Sequence, residues 1–121
     1  MHLAPLNAPG GACDWPLHAV VAHAGAYGVV VSRAKGRAWV AAIQHQFEPR
    51  DRSDVLVDEI SDLAAMALPG GRYLIRTARA RSWTSGVVVG RCTPIVAKAI
   101  SAALKREVEA CAHEGKWREA S

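Results

Sequence analysis

The spacing of apolar positions changes several times along the chain, and each change marks an element. Residues 17–23 begin a β-rich section with Val20 and Val21 as its strand formers. Gly25 interrupts it, and residues 27–33 resume as a strand through Val29, Val30 and Val31. The Ala34-Lys35-Gly36-Arg37 stretch is a hairpin signal, because glycine tolerates the positive φ of a tight turn. Over residues 38–47, Trp39, Ala41, Ile43, His45 and Phe47 fall on one face by period two. The first half therefore predicts a three-stranded meander.

Beyond a charged, proline-containing turn over residues 48–52, the period becomes helical. Ser53 or Asp54 is a candidate cap, and Leu56, Ile60, Leu63, Ala64 and Ala67 recur on one helical face. Pro69-Gly70-Gly71 stops that helix near Leu68. Residues 72–92 alternate again. Tyr73, Ile75, Thr77, Arg79, Arg81 and Trp83 share one face, and Leu74, Arg76, Ala78, Ala80 and Ser82 share the other. With a turn at Thr84-Ser85-Gly86 and a return through Val87, Val88 and Val89, the stretch predicts a basic β-hairpin. Residues 73–77 and 87–89 would be core strand, and residues 79–83 a ribbon leaving the core. Thr93-Pro94 opens a second helix, since Thr caps and Pro at the first position sacrifices no hydrogen bond. Val96, Ala99, Ile100, Ala103, Leu104, Val108 and Cys111 form its apolar stripe, and Gly115 is its expected terminator.

The predicted fold is α+β, an antiparallel sheet in the order β-β-β-α-β-β-α with two helices packed on one sheet face. Residues 1–15, with Pro5, Pro9, Gly10 and Gly11, read as a flexible N-terminal arm. Residues 16–115 read as a single domain, and residues 116–121 as a C-terminal tail.

Composition adds a core of aliphatic residues: half of the 121 residues are hydrophobic and only 6% are aromatic. Charge adds an asymmetry. The net charge is +4, but Asp54, Asp58, Glu59 and Asp62 crowd one short segment. From Leu63 to Arg106 there is no acid, against Arg72, Arg76, Arg79, Arg81, Arg91, Lys98, Lys105 and Arg106. Such a span predicts one positive side that attracts a polyanion or an acidic protein. Three cysteines without a CxxC spacing fit a reducing compartment. Neither a signal-peptide pattern nor a membrane-length apolar run is visible, so a cytoplasmic location without a membrane partner is expected.

Three kinds of site chemistry deserve weighing. Arg79, Arg81 and Arg91 with Trp83 combine charge and a stacking plane, which suits nucleic acid. In that reading Arg76 joins as a charge contact, and Lys98, Lys105 and Arg106 extend the patch. The alternative is that Trp83 caps the core and the acids of the first helix neutralise the arginines. Cys13, Asp14, His18 and His23 cluster in sequence, with His45 on a neighbouring strand, but their spacing matches no zinc module. Cys92 precedes a helix start, whose dipole would lower a thiol pKa, whereas Cys111 lies on the apolar stripe. The Gly25-Ala26-Tyr27-Gly28 run lacks the P-loop lysine and the full dinucleotide fingerprint.

Ala26-Tyr27-Gly28-Val29-Val30-Val31 followed by the Gly36 turn resembles the second and third strands of ribonuclease H-like domains. Glu59-Ile60 with Leu63 and Leu68 is similar to their first helix, where a metal-binding glutamate resides, and Ile75-Arg76-Thr77-Ala78 resembles their fourth strand. Two-metal phosphoryl chemistry needs a cluster of carboxylates. Where that family places acids at the ends of its first and fourth strands, this chain has His23 and Ala78, leaving only Glu59. The resemblance therefore implies a non-catalytic relative.

The expectation is a non-enzymatic basic module with no catalytic residues, bound metal or cofactor. Its first expected partner is nucleic acid, held through Arg76, Arg79, Arg81, Arg91, Lys98, Lys105 and Arg106 with Trp83 as stacker. The second is an acidic or nucleic-acid-binding protein, with this chain as an accessory or inhibitor module of plasmid or phage type. A homodimer is a further expectation, because a strand edge or the valine-rich return strand can pair across a two-fold axis.

Overall fold

A computed structural model describes residues 14–34, 36–45 and 52–120, with side chains to residue 112. The predicted meander is present as β1 (Ala19–His23), β2 (Ala26–Ala34) and β3 (Arg37–His45). Ala24 and Gly25, at φ of 50° and 81°, make the two-residue turn between β1 and β2. Gly36, at φ 73°, serves the next hairpin. Phe47, expected at the end of the third strand, and Cys13 lie outside the described residues.

After the meander the helix expected from residue 53 or 54 is replaced by a strand, β4 (Asp54–Val57), followed by a short helix α1 (Ile60–Ala65). Val55 and Val57 favour the pleated surface, and β4 pairs along β5 (Tyr73–Arg76), matching Val55 with Ile75 and Val57 with Tyr73. The fourth strand also separates the chain from the ribonuclease H-like order, in which the helix follows the third strand directly. Glu59 is the N-cap of α1, exposed and without a side-chain capping bond.

The predicted hairpin over residues 72–92 is corrected. Its two arms are β6 (Arg81–Trp83) and β7 (Val87–Arg91), and they do not pair with each other. β6 pairs with β3, whereas β7 pairs with β1 at the far side of the sheet. The order across the sheet is β4-β5-β3-β2-β1-β7, with β6 beside β3, and the strand pairs described are all antiparallel. Residues 84–86 carry the chain between the two sides. Gly86, at φ 152°, passes so close to β1 that an added Cβ would stand 2.6 Å from Val21 Cγ1. Far from being core, β7 is an edge with Val88 and Val89 exposed.

Two cores hold the sheet. On one face Val20, Val29, Ala41, Ile43 and Ile75 meet Leu63 of α1, Met66 just after it, and Val96, Ile100 and Ala103 of α2 (Pro94–Ala120). The α2 cap is as expected: Thr93 Oγ1 accepts from the Val96 N–H at 3.3 Å and itself donates to Asp62 at 2.6 Å. Contrary to expectation, α2 continues through Gly115 to Ala120. On the other face Trp15, Ala19, Val21, Val30, Ala38 and Val40 form a second cluster, with Trp83 packed against it. Sequence alternation in β1 and β2 serves both faces, which is why these strands read as continuous valine runs. Cys111, assigned above to the apolar stripe, is exposed and its thiol donates to Glu107 at 3.4 Å.

Gly90 explains the break in the Val87-Val88-Val89-Gly90 run. A Cβ there would meet the Ala65 carbonyl oxygen and the Met66 carbonyl carbon at 2.7 Å, so the end of α1 packs directly on the strand backbone. Gly90→Ala is expected to destabilise the fold by about 1–3 kcal/mol through overpacking. Urea unfolding would show a lowered midpoint at unchanged slope, with Val88→Ala causing a smaller loss.

Candidate anion-binding groove

The arginines of the acid-free span do not form one surface. Arg72 stands 3.8 Å from Asp58, both well exposed. Such a pair contributes little. Lys98, Lys105 and Arg106 sit on α2, on the helix-covered side, and Arg106 lines a separate cleft with Arg52 and Asp54. Arg91 ends β7 opposite Ala19, across the sheet from β5. Arg76, Arg79, Arg81 and Trp83, by contrast, line one cavity of about 350 Å³ with Val40, Ala42 and Gln44 on the helix-free face.

A local irregularity of the backbone produces this convergence. Ile75 pairs with Ile43 and Arg81 with Val40, so six steps on one strand oppose three on β3. The excess is taken up by a 3-10 turn at Thr77–Arg79. An odd excess inverts the alternation of side chains. Arg76, expected on the opposite face from Arg79 and Arg81, therefore shares their side of the sheet. The turn is anchored by buried Thr77, whose Oγ1 donates to the Ser53 carbonyl.

Arg76 is held by two side-chain partners. Its Nε donates to Asp54 Oδ1 at 3.0 Å and its Nη1 to Gln44 Oε1 at 3.1 Å, and the Asp54 side chain is 3% exposed. Asp54 thus neutralises Arg76 from behind, as the alternative reading of the acids expected, although it does so from β4 and not from a helix. Arg79 and Arg81 are exposed at the rim. No acid lines the cavity among the described residues. Trp83 forms one wall while its ring reaches across the second core to Gly28 and meets His23 edge-on at 6.2 Å. It does not project on a ribbon. Gln44 was invisible as a site residue in the sequence; its only signal was its period-two spacing from Val40 and Ala42 on β3.

The other candidates separate. Asp14, His18, His23 and His45 do not converge, and no group of three or more metal-ligating side chains exists among the described residues. His18 takes a positive φ of 67°, and burial lowers its imidazole pKa. The Cys92 thiol is pushed up to about 12, first by burial and then by the charge of Asp62. The helix start beside it therefore does not yield a thiolate at neutral pH.

Because the Cys92 pKa is raised from an ordinary 9.0 to about 12, the unfolded chain loses its proton first, and this group's stabilising contribution is lost as pH rises through that window. With Cys13 and Cys111 replaced by Ser, the remaining thiol is expected to resist an aromatic disulfide reagent at mildly alkaline pH and to react fully in denaturant. Rapid reaction in the native protein would contradict the burial. No protein-family model matches the chain, and no curated protein is similar to it.

Proposed function

We propose that this protein binds nucleic acid, chiefly through its phosphates, with Arg76, Arg79 and Arg81 as the contacts in the groove beside β3. One observation carries the reading: three guanidiniums line a single cavity that no carboxylate lines among the described residues. Guanidinium forks match phosphate oxygens two at a time, and a guanidinium held in place loses less freedom on binding. The Arg76–Asp54 and Arg76–Gln44 bonds hold one fork in place before any ligand arrives. Trp83 contributes a wall to the groove, and its indole is half-buried in the second core. In this reading Arg91, Lys98, Lys105 and Arg106 add to the general positive field, which steers a polyanion without fixing its register.

The test is an anisotropy titration with short single- and double-stranded DNA and RNA at low salt. With Arg76 already paired to Asp54, contacts by the three arginines to a single strand predict a slope of log affinity against log salt no steeper than about −2. Arg79→Glu and Arg81→Glu should each weaken binding about tenfold or more, whereas Lys98→Glu and Lys105→Glu should change it only a few-fold. Absence of binding to all of these at low salt would remove the proposal.

A further inference from the structure

A second cavity, of about 440 Å³, opens at the other side of the β3 end. Its lining includes Tyr27, His45 and Tyr73 from three adjacent strands, Leu68 and Pro69 after α1, and Gln44. We infer that this cleft receives an unpaired base of a nucleic-acid strand, so that the ligand class is single-stranded. The inference rests on the reading that the arginine groove takes the phosphates of the same strand.

Four features of the cleft point to a flat aromatic occupant. Its volume lies within the range of small-ligand pockets, roughly 300–1,000 Å³. The rings are already arranged for stacking: His45 and Tyr73, direct cross-strand partners, have centroids 4.6 Å apart with planes tilted by 33°. Tyr27 pairs with Ile43, which places it diagonally to His45 on the same sheet face. Diagonal neighbours stand about 7–8 Å apart, close enough for both rings to touch one bound base. Tyr27 is 37% exposed, an aromatic surface left to solvent where a base would cover it.

Gln44, at the end of β3, marks where the two cavities adjoin, although its side chain lies on the helix-free face with Arg76. It lines both cavities, and its Oε1 accepts from Arg76. No acid lines either cavity among the described residues. A base stacked and paired within a duplex presents no open face to such a cleft, whereas an unpaired base does.

The experiment compares three ligands of equal length by anisotropy: a homopyrimidine DNA strand, an abasic deoxyribose-phosphate strand and a duplex. The intact strand should bind about tenfold more tightly than the abasic one, as expected for a stacked base. Tyr27→Ala should reduce the intact strand to the abasic level without changing abasic affinity, and Tyr27→Phe should restore it. Equal affinity for all three ligands, insensitive to Tyr27→Ala but lost in Arg81→Glu, would overturn the base cleft and leave the phosphate groove standing. Failure of every strand to bind would overturn both.

Discussion

The candidate site depends on three surplus residues between β5 and β6. If the chain ran straight from Tyr73 to Trp83 along β3, strict alternation would divide its arginines between the two faces. The 3-10 turn at Thr77–Arg79 inverts that alternation and gathers Arg76, Arg79 and Arg81 on the face that the helices leave open. Buried Thr77 fixes the turn to Ser53, just ahead of β4, and Asp54 fixes Arg76 from the same strand. β4 thus serves as the rear support of the groove. Such an ion pair is costly to break from one side, on the order of 3–5 kcal/mol for a buried pair, because a desolvated charge is left alone.

The same interruption links the two cores. One lies beneath the helices; the other, around Trp15, Val30 and Val40, is closed by Trp83 immediately after the turn. The chain then crosses to the β1 side through Gly86, whose close approach to Val21 leaves no room for a side chain. β7 completes the sheet and leads through Cys92 and Thr93 into α2, where Thr93 joins the helix cap to Asp62 of α1. No helix among the described residues is long and apolar enough to cross a membrane.

The meander and the start of α2 were legible because they rest on local signals: valine runs, a glycine turn and the Thr93-Pro94 cap. The strand at Asp54–Val57 was not, since Leu56, Ile60 and Leu63 also satisfy a helical period over so short a window. Residues 81–91 were misread as a hairpin because Gly86 marks a turn equally well when the partners lie on different strands. Strand pairing is a non-local property, and nothing in residues 81–83 names β3 as their neighbour. The arginines themselves were visible. Their common side was not, because it follows from the surplus of three residues and not from composition. Continuation of α2 past Gly115 shows that one glycine, costing about 1 kcal/mol in a helix, is not by itself a stop.

In the proposed reading, binding is confined to the arginine groove and the adjoining aromatic cleft and is not spread over the positive charge of the chain. Nuclear magnetic resonance of the labelled protein, titrated with a short single-stranded oligonucleotide, separates the two patterns. Shift changes are then expected to concentrate at the side-chain Nε–H groups of Arg76, Arg79 and Arg81, at Gln44, and at Tyr27 and His45 of the cleft. Changes centred on Arg91, Lys98, Lys105 and Arg106, with the groove residues unmoved, would contradict it.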